Sequence, residues 1–192
     1  MERTRCSWCS EKNPLYVRYH DEEWGVPCHT DGKLFELLVL ECFQAGLSWE
    51  TILNKRENFR AAFDHFDPER IQNYDETKIQ KLLQDSGIIR NRRKIEAAIF
   101  NARIFLSIQD EWGTFDHYIW HFTNGQTLHE LGLSHSALSD KISEDMRRRG
   151  MKFIGSTVVY AYLQAIGVIE SHEETCFLHG GKALCEKQQK RL

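Results

Sequence analysis

Three prolines in 192 residues leave few obligatory breaks in the chain. No apolar run approaches the roughly 18 residues that a membrane span needs. The start, M-E-R-T-R-C-S-W-C, has no apolar stretch like that of a secretory signal peptide. Few segments alternate apolar and polar residues as a half-buried strand does. There is no repeat, no low-complexity stretch and no linker. A net charge of −3 gives no global attraction to nucleic acid. These absences argue against a membrane protein and a secreted disulfide scaffold. The expectation is a cytoplasmic, mostly helical globular domain, with an ordinary 41% hydrophobic and 28% charged residues. Thiols stay reduced in that compartment. Cys6, Cys9, Cys28, Cys42, Cys176 and Cys185 therefore read as ligands or core thiols.

Helical periodicity covers most of the chain. From Asp31, a candidate N-cap, K-L-F-E-L-L-V-L-E-C-F repeats apolar residues on a helical period. A break follows at Ala45-Gly46-Leu47-Ser48. Further helical turns are predicted over 49–54 and 56–63, from Asp67-Pro68, and over 77–85, 92–107, 115–122, 139–149 and 155–166. The segment 123–136 is predicted as an exposed loop and the residues from Lys182 as a polar tail.

Cys6 and His20 lie near one end of the chain, with thirteen residues between them. His172 and Cys176 lie near the other, with three between them. Two thiolates and two imidazoles complete a tetrahedral zinc shell with no place left for water, provided the two ends of the chain meet. Spacing alone fits four unrelated polar residues equally well. Cys9, His179 and Cys185 are rival ligands.

Positive charge is local. Arg90, Arg92, Arg93 and Lys94 follow Gly87 in L-L-Q-D-S-G-I-I-R-N-R-R-K-I, where a helix meets a glycine turn and a second helix. Such a hairpin exposes backbone N–H groups that can hold a phosphate without reading sequence. A Gly-capped helix turn of no such function has the same pattern. Arg147, Arg148, Arg149 and Lys152 form a second cluster, better explained as cations at a helix C-terminus.

Glu41 falls on the apolar stripe of Leu34, Leu37 and Leu38. A buried carboxylate without a partner is costly and marks a site. Read alone, the position fits a helix-end glutamate turned to solvent slightly better. Trp8, Tyr16, Tyr19, Trp24 and Trp49 bracket these residues. Aromatic faces around one carboxylate would suit a flat, electron-poor heterocycle. A conventional aromatic core is the plainer reading of any single ring.

Four ordered segments carry a resemblance: P-L-Y-V-R-Y-H-D-E-E-W-G-V-P, L-E-C-F-Q-A-G-L-S-W-E-T-I-L-N-K-R, G-I-I-R-N-R-R-K-I and H-E-E-T-C. Together they resemble the 3-methyladenine DNA glycosylase I (Tag) family, from Cys6 to about Cys176. The resemblance implies an all-α helix-hairpin-helix glycosylase fold of two helical lobes, a single domain over 1–192. Its hairpin would span about 79–99. One structural zinc per chain would join segments 1–24 and 167–180 through Cys6, His20, His172 and Cys176. The pocket would comprise Tyr16, Tyr19, Glu41 and Trp49, with Trp24 nearby. Cys42 stands where the family commonly has glycine, and Glu170-Ser171-His172 replaces its N-D-H.

The implied activity is excision of 3-methyladenine from alkylated double-stranded DNA by a monomer, with Glu41 recognising the base. Gly87, Ile89, Arg90, Arg92 and Arg93 would contact the duplex. Gly46 and Leu47 would enter it where the base leaves, unless Leu47 points into the core. Related glycosylases carry an aspartate that supports the sugar cation, which this family is described as lacking. Asp116 is the nearest candidate, though it also reads as a helix cap. The alternative without the resemblance is a zinc-stabilised DNA-binding module with no catalysis. A zinc hydrolase is disfavoured, because it needs an open coordination position.

Overall fold

A computed structural model describes residues 3–181. The expected polar tail and the rival ligand Cys185 lie outside them. Nine α-helices carry the described chain: α1 (Pro14–Glu22), α2 (Asp31–Gln44), α3 (Trp49–Ala62), α4 (Pro68–Ile71), α5 (Glu76–Gln84), α6 (Arg92–Trp112), α7 (Phe115–His121), α8 (Ala137–Arg149) and α9 (Ser156–Ala165). Two short strands, β1 (Leu128–His129) and β2 (Ile169–Glu170), pair in parallel. No described helix is long and apolar enough to cross a membrane.

α2 is the central element. Every residue from Leu34 to Phe43 is buried, including Glu36 and Glu41. A helix apolar on all sides must be surrounded, and α2 packs against α3, α6, α7 and α9. Buried apolar side chains from Cys6 to Leu178 form one connected cluster, so a division into two lobes leaves no gap in the core.

The sequence reading missed α1, a nine-residue helix with Pro14 at its start and the Asn13 side chain accepting the Leu15 N–H. The turns expected over 49–54 and 56–63 are one helix, α3. Ser48 caps it by accepting the Thr51 N–H at 3.2 Å. Asp31 is not the cap of α2. Thr30 holds that position, and the Asp31 carboxylate instead accepts the N–H groups of Phe115 and Asp116 at 2.8 and 2.9 Å, at the start of α7. The loop expected over 123–136 contains β1, which ties it to the chain just before His172. Two-residue strands are too short for periodicity to reveal.

Candidate functional site

Helical spacing places three residues of α1 on one inward face: Tyr16, Tyr19 and His20 are all buried. Tyr16 and Tyr19 meet Glu41 and Gln44 of α2, Trp49 at the first turn of α3, and Ala161 and Gln164 of α9 around a cavity of about 180 Å³. Trp8 and Trp24, flanking α1 in sequence, close it. All five residues expected in the pocket thus line one cavity. Gln44, Ala161 and Gln164 were not foreseen. Gln44 lies one turn beyond Glu41 and was open to helical reasoning; the α9 pair gave no signal.

The walls are aromatic. Tyr19 and Trp49 have ring centroids 5.2 Å apart, and Trp8 stands edge-on to Trp24 at 4.9 Å. Glu41 is 4% exposed, and its Oε2 has no hydrogen-bond partner. Burial pushes its carboxyl up to about 8. The Trp49 indole N–H is also buried without a partner. Among the described residues, Glu41 is the only acidic one lining this cavity, and no basic side chain lines it. A cavity with flat walls, a free N–H donor and an acid without a counter-charge matches a flat heterocycle that brings its own positive charge.

Asp116 does not line the cavity. Its carboxylate faces His29 Nδ1 at 2.8 Å, and its N–H is capped by Asp31. It belongs to the first turn of α7, whose N-cap is Thr114.

A second cluster backs onto the same walls. The ligand atoms of Cys6, His20 and Cys176 lie within 4.8 Å of one another, and all three residues are buried. His20 Nε2 is 3.6 Å from Cys176 Sγ and 3.3 Å from the Cys6 N–H. The His172 ring stands perpendicular to that of His20, centroids 5.2 Å apart, and its Nε2 is buried without a partner. Each imidazole turns Nδ1 to a carboxylate at 2.8 Å, His20 to Asp21 and His172 to Glu170. Each Nε2 then carries the lone pair, the usual arrangement behind a metal-binding histidine: that of His20 accepts the Cys6 N–H, and that of His172 has no partner. The Glu173 and Leu178 N–H groups each donate to a thiol sulfur at 3.4 Å, to Cys6 and Cys176 respectively. Burial pushes the Cys6 thiol up to about 12 and lowers the His20 pKa. A bound dication reverses the first shift and requires the second. Two thiols and an imidazole so grouped fit zinc in their chemistry, while the His172 ring packs against His20 without its ligand atom joining that group.

The rivals point elsewhere. Cys9 Sγ faces the Tyr16 carbonyl at 3.8 Å, and His179 Nδ1 meets the His172 carbonyl at 2.8 Å. Gly25 shows how closely the chain wraps the cluster. Its φ is +75°, and a Cβ there would stand 2.9 Å from His172 Cε1.

The expected DNA-contacting residues lie in the α2–α3 loop (Gly46, Leu47), in the α5–α6 turn (Gly87, Ile89, Arg90) and at the start of α6 (Arg92, Arg93). Asp85 accepts the Gly87 N–H at 2.7 Å, so that amide is taken. The Ile89 and Arg90 N–H groups have no partner among the described residues. Lys55 of α3 braces the turn, donating to the Ser86 and Gly87 carbonyls at 2.9 and 3.3 Å. Arg90 and Arg93 are exposed and enter no ion pair among the described residues, whereas Arg92 pairs with Glu76 at 2.6 Å. Lys94 does not belong to this basic face: it is buried, and its ammonium meets the Phe43 and Ala45 carbonyls. Leu47 is 40% exposed, between α2 and α3. In the second basic cluster, Arg148 and Arg149 pair with Asp145 in the last turn of α8.

The methyladenine glycosylase family profile matches residues 8–179. The chain is 45% identical over 184 residues to DNA-3-methyladenine glycosylase 1 of Escherichia coli (strain K12), covering 92% of this chain and 97% of that protein. A crystal structure of 3-methyladenine DNA glycosylase I superposes with a TM-score of 0.88 at 43% identity, covering 92% of this chain and all of that one. A structure on 3-methyladenine recognition by the Staphylococcus aureus glycosylase I gives 0.86 at 32% identity, covering 90% and 95%. With its pocket residues, Trp8 to Gln164, inside the matched span and 45% identity over 92% of its length, the chain belongs to the methyladenine glycosylase family.

Proposed function

We propose that this protein is a DNA-3-methyladenine glycosylase. In base-excision repair it turns an alkylated nucleotide out of the duplex and hydrolyses the bond between base and sugar. The supporting observation is the buried Glu41 carboxyl, without a counter-charge, among aromatic walls.

Methylation at N3 puts a positive charge on adenine while it is still attached to the sugar. The base is then already a good leaving group and needs no proton. The pocket must extract it, hold it and tolerate the cation. Tyr16, Tyr19, Trp24 and Trp49 would stack around the ring. Burial alone keeps much of Glu41 protonated near neutral pH, with its carboxyl raised to about 8. A positive ring beside it favours the carboxylate, which then accepts a hydrogen bond from the exocyclic amine. The Trp49 N–H is free to donate to an acceptor on the base edge. Unmodified adenine is neutral and leaves poorly, so modest catalysis suffices for selectivity. Glu41 recognises the base; no second carboxylate lines the cavity to support the sugar.

A structural zinc held by Cys6, His20, His172 and Cys176 would clip the two ends of the described chain together and supply folding energy rather than chemistry. The duplex would lie across the free amides of Ile89 and Arg90, beside Arg90, Arg93 and, less strongly, Arg92. The exposed Leu47 would fill the gap the base leaves. A second glycine turn, between α8 and α9, has a claim on the same duplex. α9 starts at Gly155 without a side-chain cap and carries Ala161 and Gln164 into the pocket wall. The enzyme would act as a cytoplasmic monomer.

The test is release of free base from methylated duplex. Release of 3-methyladenine sustains the reading. Duplex binding without release transfers it to the alternative, a zinc-stabilised binding module.

A further inference from the structure

Lys94 follows the exposed Arg93 at the start of α6, yet its own side chain is buried. Its ammonium donates to the Phe43 carbonyl at 2.7 Å and to the Ala45 carbonyl at 2.6 Å. Those carbonyls lie in the last turn of α2 and at its cap, where helical carbonyls lack intrahelical partners and the helix dipole is negative. Its backbone is held as well, the N–H donating to the Asn91 side chain at 3.2 Å.

The next residue along the α2–α3 loop is Gly46, at φ +82°, a left-handed conformation that disfavours a side chain. Leu47 follows, its N–H donating to the Gln44 carbonyl at 2.6 Å while its side chain stays in solvent. Lys94 thus reaches from the turn that offers free amides to the loop that projects Leu47.

We infer that Lys94 is a positioning residue for base extraction: it locks the Ala45-Gly46-Leu47 loop to the α5–α6 turn, so that phosphate contact and insertion of Leu47 occur in one register. The inference rests on the reading of Leu47 as a wedge. An ammonium suits the task because its three donors on a flexible stem can hold two carbonyls at once. Methionine has similar length and makes neither bond.

The experiment is a double-mutant cycle on single-turnover base release from methylated duplex and from methylated single strands. It uses the wild type, Lys94→Met, Leu47→Ala and the double variant. Lys94→Met should slow release from duplex roughly tenfold, the scale of one charge-assisted hydrogen bond. Release from single strands and binding of free 3-methyladenine should not change. Added to Leu47→Ala, it should slow the duplex reaction little further, because a truncated wedge leaves nothing to position. Effects that multiply in the double variant, or equal slowing on single strands, overturn the inference and assign Lys94 to the fold alone. If Leu47→Ala by itself releases base from duplex at the wild-type rate, the wedge reading falls and the inference with it. Should Lys94→Met fail to fold, Lys94→Gln, which keeps one donor group, enters the same cycle with the same criteria.

Discussion

The indole of Trp24 stands edge-on to the imidazole of His172, their ring centroids 4.7 Å apart. One ring lines the aromatic cavity and the other packs against His20 of the thiol–imidazole cluster. Trp8 packs on His20 in a tilted arrangement, their ring centroids 5.2 Å apart. The cavity wall therefore packs against the cluster.

This contact makes metal removal a test of two things. One zinc per chain is expected, retained in Cys9→Ser and lost in Cys6→Ser by metal analysis. Chelation should lower the melting temperature and also weaken titrated binding of free 3-methyladenine, because Trp8 and Trp24 lose their backing. Zinc kept by Cys6→Ser and lost by Cys9→Ser would mean that the wrong thiol was chosen.

Glu41→Gln separates stability from recognition. The folded carboxyl is raised to about 8, above its ordinary 4.5. A raised acid destabilises the fold progressively as pH climbs from the unfolded value to the folded one, because the unfolded chain then gives up a proton that the folded chain keeps. Denaturation curves should therefore show Glu41→Gln matching wild type near pH 4 and exceeding it increasingly up to about pH 8, with a constant gap above. The same variant should bind free 3-methyladenine more weakly by about 1–3 kcal/mol, the range for a charge-assisted hydrogen bond. Equal affinity in a calorimetric titration would remove Glu41 from base recognition.

Charge reversal at both Arg90 and Arg93 should weaken binding to any duplex. It should also reduce the dependence of log K on log salt by about two counterions. Arg92 reversal should cost less, since Glu76 already engages that guanidinium at 2.6 Å. Free-base affinity should stay constant throughout. A double reversal that binds duplex like wild type across several salt concentrations would turn this face away from DNA.

Leu47→Ala should melt within about 0.5 kcal/mol of wild type, as exposed positions do. It should also release base from duplex much more slowly than from single strands. A core leucine would instead cost about 2–5 kcal/mol. An early-melting variant whose folded fraction cleaves duplex normally would sink the wedge.

Asp116→Asn should leave base release unchanged, because the side chain faces His29 rather than the cavity. A large fall in single-turnover rate at constant stability would return Asp116 to the reaction.

Local physics wrote the helices into the sequence. The stripe through Leu34, Leu37 and Leu38, the cap at Asp67-Pro68, and the break at Gly46 are properties of neighbours along the chain, legible without coordinates. So was the place of Glu41 on that stripe, but not its inward turn: read alone, the position fits a helix-end glutamate turned to solvent slightly better, and only packing buries it. The resemblance carried the pocket aromatics and the four candidate ligands to their positions by motif. What only the tertiary structure decided concerns partners far apart in sequence. Asp31 looked like a cap for its own helix and caps α7 instead. Lys94 looked like one more surface cation and is buried against carbonyls 49 and 51 residues away. Gln164 reaches the cavity from a helix whose periodicity resembles that of any core helix. Cys9 and Cys6 are equivalent by spacing, and only folding turns one toward His20 and Cys176 and the other toward a backbone carbonyl. A sequence sets which side chains share a face; which distant carbonyl, thiol or amide that face meets is set by packing, because a polar group takes whatever partner the closed core leaves within reach.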